Sequence, residues 1–222
     1  MPGKRGDRLK RSELKSRPKL KQATAEKRVY RLGVRAETAA ETARSILRAT
    51  IDLYGERFYD QVSLEDIAER AGVTVQTLIR RFGSKEELIS AAADATRGTI
   101  RSQRDETPVG DVASAAKALV ETYEAHGDRV LRMLSQEDRV PAFRLIAGAG
   151  RAYHYEWVDR IFAPLLARSS RRDRERLRAQ IIAVCDVYFW KVLRRDLGMS
   201  GEETQRAVLH MLAALDAHTT TK

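Results

Sequence analysis

Residues 46–89 read ILRATIDLYGERFYDQVSLEDIAERAGVTVQTLIRRFGSKEELI. Ile46, Leu47, Thr50, Leu53 and Tyr54 recur at helical spacing, one stripe of a helix expected over about 38–57. Ser63 then opens a short helix with Asp66 three residues on, the spacing of a capping box, and Leu64, Ile67 and Ala68 face inward. Gly72 ends it, because a glycine just past a helix supplies the left-handed conformation of a sharp turn. Thr74 caps the next helix, which runs through Leu78 to about Phe82. Ser84 with Glu87 forms a second capping box and starts a helix reaching about Arg101. Three helices within 43–82, joined at 71–74, have the layout of a helix-turn-helix. Ala68 is small where two of them cross, and Val73 and Leu78 plug the junction. The second helix is left to enter a major groove of double-stranded DNA with Thr74, Val75, Gln76, Thr77, Ile79, Arg80 and Arg81. Gln76 can pair bidentately with adenine, while Val75 and Ile79 offer apolar contact to a thymine methyl. Thr74, Thr77, Arg80, Arg81 and Lys85 suit phosphates, which fix register without reading sequence. Lys85 stands just inside a helix start, where backbone amides also face an anion.

Beyond this stretch the apolar spacing stays helical and no run alternates as a strand would. Helices are expected near 111–125, 128–136, 141–167, 172–197 and 201–217. Pro141 suits a helix start, Pro164 should end or kink the long helix, and Ser200 with Glu203 caps the last. The segment 105–110 (DETPVG) is the best boundary between domains. The fold class is all-α, with about nine helices. At the other end, residues 1–35 hold thirteen of the 41 basic residues and three of the 31 acidic ones, so the whole net charge of +10 lies there. That segment has too few apolar residues to cover a core, and reads as a disordered basic arm able to touch nucleic acid. The domains expected are therefore the arm 1–35, a DNA-binding domain 36–104 and a larger helical domain 105–222.

Several function classes are excluded. No stretch approaches the roughly 18–20 apolar residues of a membrane span; 181–190 carries an aspartate and stops at Lys191. The amino terminus has charge but no apolar region of the secretory kind, and a single cysteine fits a reducing cytosol. The expected location is the cytosol. Four histidines form neither an i, i+4 pair nor a cluster with cysteine, so no metal is expected. No phosphate-binding or nucleophile motif follows a strand, and Gly148-Ala149-Gly150 reads as close helix packing or a kink. Cys185 reads as buried and inert. Neither a cofactor nor enzyme activity is expected.

The stretch 46–89 resembles the DNA-binding domain of TetR-type (tetracycline-repressor-like, TetR/AcrR) transcriptional regulators, and the whole chain resembles them more loosely. The resemblance implies a three-helix amino-terminal DNA-binding domain followed by a larger ligand-binding and dimerisation domain. It further implies a homodimeric repressor on a palindromic operator, joined through the helices near 172–197 and 201–217 and released by a small-molecule effector. Residue by residue, 74–77 becomes the base-reading turn. Arg80 and Lys85 become phosphate contacts, Arg44 and Ser63 backbone clamps, and Phe82 and Leu88 core. There are two departures. Ile79 stands where the family mostly has tyrosine, and Phe58 where it commonly has glycine, which implies either about 1 kcal/mol of backbone strain or an altered turn. By family position and chemistry the effector pocket would include Tyr123, Met133, Phe143, Tyr153, Trp157, Tyr188 and Trp190, a lining suited to a hydrophobic molecule. Two rival readings stay open: a weakly specific architectural DNA-binding protein whose arm supplies most of the affinity, and a ligand-binding protein or enzyme that merely keeps the helix-turn-helix.

Overall fold

The computed structural model describes the backbone over residues 17–220 and side chains over 37–217. Among the described residues there are ten α-helices and no strand. They are α1 (Arg17–Glu56), α2 (Leu64–Ala71), α3 (Val75–Phe82), α4 (Lys85–Asp105) and α5 (Val112–Leu134), then α6 (Pro141–Ile161), α7 (Ala163–Arg168), α8 (Arg171–Val184), α9 (Val187–Lys191) and α10 (Gly201–Thr220). A 3-10 turn at Tyr59–Gln61 follows α1, and a π-helical turn at Val192–Asp196 follows α9.

The chain divides into two compact units, Met1–Ser45 and Ile46–Lys222, with the division inside α1. Residues 1–16 of the expected arm lie outside the described residues. From Arg17 onward the backbone is helical, so α1 starts about twenty residues before the expected point. The sequence permits this: 17–37 is rich in Ala, Leu, Lys, Gln, Glu and Arg, and its single proline, Pro18, falls in the first turn where no amide bond is lost. Within this first unit Arg44 is exposed and pairs with Glu41 one turn earlier.

The second unit buries two main cores. Ile46, Ala49, Leu53, Val62, Ile67, Ala68, Leu78 and Leu88 tie the end of α1 to α2, α3 and the start of α4. The other core surrounds Trp157, Phe162, Ile181, Trp190, Val208 and Leu212, where α5 to α10 meet. Between them a smaller cluster of Ile89, Val140 and Phe143 is packed by Tyr54 and Tyr59.

Two expected helices differ in extent. The pair expected at 111–125 and 128–136 is one helix, α5, because Gly127 stays helical and leaves room for the Trp190 ring; a Cβ there would lie 2.5 Å from it. The helix expected over 172–197 is broken after Val184, because the Asp186 carboxylate accepts from Tyr188 N at 2.8 Å and caps a new helix. The stretch at Gly148 and Gly150 neither packs closely nor interrupts α6, since a Cβ at either would meet nothing within 4 Å. Pro164 acts as expected: α6 stops at Ile161 and Pro164 sits in the first turn of α7.

Candidate functional site

The helix-turn-helix is held by its caps. Ser63 Oγ accepts from Asp66 N at 3.0 Å while the Asp66 carboxylate accepts from Ser63 N at 2.8 Å, and the bonds it takes from the Ser63 hydroxyl first and the Ser63 N–H second hold the Asp66 carboxyl below its usual range. Gly72 takes φ +68°, the left-handed value the turn requires, and lets Val73 N donate back to Ala68 O at 2.9 Å. Thr74 Oγ1 accepts from Thr77 N and lies 3.0 Å from Thr77 Oγ1. Ser84 and Glu87 repeat the reciprocal cap at the head of α4, with bonds of 3.1 and 2.8 Å. Gly83, between α3 and α4, takes φ +84°, a left-handed backbone that strains any residue with a side chain. The sequence reading passed over it.

With α2 and α3 locked, α3 buries Leu78 and half-buries Val75 and Phe82 on the core. Gln76, Arg80 and Arg81 are exposed, and Ile79 keeps 50% of its surface in solvent. Val75 and Thr77 are only partly accessible, the first through packing and the second through its bond to Thr74. Two expected DNA contacts are committed internally. Lys85 Nζ donates to Tyr59 O at 3.1 Å and Val62 O at 2.5 Å and sits 4.1 Å over the Tyr59 ring, with partial burial lowering its pKa. It braces the 3-10 turn against α4. The Ser63 hydroxyl is taken by its own cap, donating to Asp66 Oδ2 at 2.6 Å. Phe58 has φ −72°, so the turn is altered and unstrained; Gln61 Oε1 accepts its N–H at 3.1 Å.

Within the second unit, a cavity of about 340 Å³ opens between the end of α1, α4, α5, α6 and the start of α9. Tyr123, Met133, Phe143, Tyr153 and Tyr188 line it. Trp157 and Trp190, expected beside them, do not. Each is 1% exposed and fixed by its indole N–H, Trp157 to Arg104 O at 3.2 Å and Trp190 to the Glu124 carboxylate at 2.9 Å. The lining also holds polar groups that an apolar reading missed, among them Arg104, Thr122, His126, His154 and Asp186. The signal for one was present: Ile89, Ala93, Thr96, Ile100 and Arg104 follow one stripe of α4 at three- and four-residue steps, so Arg104 shares the face of its apolar neighbours. The His154 imidazole is held down to about pKa 4, first by burial and then by the nearby Arg104 charge.

The pattern of the family described as "Bacterial regulatory proteins, tetR family" matches residues 46–100. A helix-turn-helix-type transcriptional repressor of Mycobacterium tuberculosis, Rv3405c, is 30% identical over 152 residues, covering 60% of this chain and 79% of that protein. The chain belongs to the TetR family of bacterial regulatory proteins. It is thus a DNA-binding transcriptional regulator. The TetR fold is also shared by solved structures at lower identity. A transcriptional regulator from Rhodococcus matches with a TM-score of 0.63 at 16% identity, covering 79% of this chain and 96% of its own. A TetR-family regulator from Streptomyces coelicolor matches with 0.63 at 21%, covering 85% and 94%. For this TetR-family chain no helix is long and apolar enough to cross a membrane, among the described residues. Among the same residues no cluster of His, Cys, Asp and Glu could hold a metal ion.

Proposed function

We propose that this TetR-family regulator is a homodimeric repressor that reads a palindromic operator with α3 and leaves it when a small molecule fills the cavity. The observation that carries the reading is α4. Its first turn is braced by Lys85 against the chain leading into α2, and its last turn reaches the cavity with Arg104. A ligand that favours one placement of α4 therefore shifts the population of α3 positions. Two recognition helices of a dimer must meet successive major grooves about 34–36 Å apart, and a tenfold loss of affinity needs only about 1.4 kcal/mol of coupling.

Within the site, Gln76 reads a base, with Ile79 and the accessible part of Val75 on thymine methyls. Arg80 and Arg81 hold phosphates, as does Thr74, and Arg44 holds the backbone. The DNA-reading part is 36–104 and the effector and dimer part 105–222. The name of the mycobacterial relative supports repression. Dimerisation is supported by the groove between α8 and α10, where the exposed Met211 lies beside Leu177 and Leu215.

Selection of DNA from a random pool at near-physiological salt tests the reading. An inverted repeat is expected, with enrichment lost in Gln76→Ala. Enrichment of no motif, with affinity that simply collapses as salt rises, favours the architectural alternative, for which the charge confined to 1–35 is the supporting feature.

A further inference from the structure

Arg104 keeps only 3% of its surface in solvent, near the carboxyl end of α4. A buried guanidinium is costly unless a negative partner and hydrogen bonds compensate it. The compensation here is incomplete. Nε donates to Thr122 Oγ1 at a long 3.3 Å, and the Tyr123 and Trp157 ring centroids lie 5.1 Å from the guanidinium carbon. Nη2 has no hydrogen-bond partner. The neighbouring Asp105 turns instead to Arg160 at 2.9 Å and to the Tyr153 hydroxyl at 3.3 Å.

The rest of the cavity sharpens this imbalance. Four arginines and one acid line it. Arg97 is paired with Asp94 and Arg151 with Glu137, while the single acid, Asp186, accepts from Tyr188 N as a helix cap. The buried His126 Nδ1 and His154 Nδ1 also lack partners, and burial keeps both rings on the neutral side. The fourth arginine, Arg129, is exposed, which leaves Arg104 as the buried cation of a mostly apolar chamber. Its walls include Ile89, Ala92, Val130, Met133, Ile146 and Ala147.

We propose that the cavity binds an amphipathic organic acid, its carboxylate paired with Arg104 and its apolar body laid along Ile100, Val130 and Ala147. A planar carboxylate accepts two parallel bonds from a guanidinium, and such charge-assisted pairs are the strong ones. A neutral occupant would bury Arg104 further with no opposing charge. The identification of this acid as the effector rests on the function proposed above.

Calorimetric titration of the full chain at neutral pH tests the site, with octanoate and 4-phenylbutyrate compared with octanamide and 4-phenylbutanamide. The acids are expected to bind roughly ten- to a hundredfold more tightly than their amides, the ratio a charged hydrogen-bond pair supplies. Arg104→Met should erase that ratio while its thermal midpoint holds, and Arg104→Lys should restore part of it. Equal binding of acid and amide, an acid preference that survives Arg104→Met, or no acid bound at millimolar concentration each overturns the proposal. Release of DNA is read separately on the same samples. Arg104-dependent acid binding that leaves the DNA complex intact sinks the effector role and keeps the acid site; an amide that releases DNA does the reverse.

Discussion

Lys85 stands one residue inside α4, a place that suits a phosphate ligand, yet its ammonium donates to Tyr59 O and Val62 O. The sequence shows the charge and the helix start but not the carbonyls, which arrive from a turn more than twenty residues earlier. The two roles separate by experiment. In Lys85→Met the thermal stability should fall by about 1–3 kcal/mol, the worth of bonds to a charged group, with the salt slope of DNA binding unchanged. In Arg80→Ala stability should hold and the slope should drop by about one ion. A slope that falls in Lys85→Met returns that residue to the DNA surface. His154 gives a second residue-scale expectation. Its pKa is lowered from 6.5 to about 4, by burial first and Arg104 second. Between those values the unfolded chain takes up a proton that the folded chain refuses. Stability is therefore complete above 6.5 and is lost as pH falls toward 4, by up to roughly 3 kcal/mol. Chemical denaturation across that window should show a shallower decline in His154→Gln. An unchanged decline would mean that other groups carry it.

At the level of elements, what the sequence made legible was local. Ser63 with Asp66, Gly72, Thr74 and Ser84 with Glu87 each act within four residues, and the helix ends they set match expectation to within a residue or so, whereas the far end of α4 runs four residues past the expected Arg101. What escaped was decided across the fold. Gly127 lies in the gap left between two expected helices, but the chain stays helical there, and Trp190, sixty-three residues on, fills the space a side chain would need. Trp157 and Trp190 look like pocket aromatics until their N–H groups find Arg104 O and Glu124. Two alanine substitutions measure this difference. Gly127→Ala forces the indole to shift and should destabilise by about 1–3 kcal/mol despite the better helix propensity. Gly98→Ala, on α4 with nothing within 4 Å, should stabilise by about 0.5–1 kcal/mol. Thermal midpoints moving in the same direction for both would remove the close α5–α9 approach as the reason for Gly127.

Across the whole molecule, charge and shape are divided between different stretches of chain. Residues 36–222 balance acid and base, and the excess of +10 falls on 1–35. A helix-turn-helix selects a sequence through a few side chains such as Gln76, whereas clustered Lys and Arg add affinity for any phosphate backbone by releasing counterions. The two contributions should therefore separate by mutation. Replacing the thirteen basic residues of 1–35 by glutamine removes their charge while keeping a residue that favours helix. Binding to all DNA should weaken and the dependence on salt should flatten, while pool selection should return the same preferred site as the unmodified chain. A salt slope that stays as steep would show that the segment lies off the DNA. A preferred site that changes would show that it reads bases as well, in which case α3 supplies only part of the specificity.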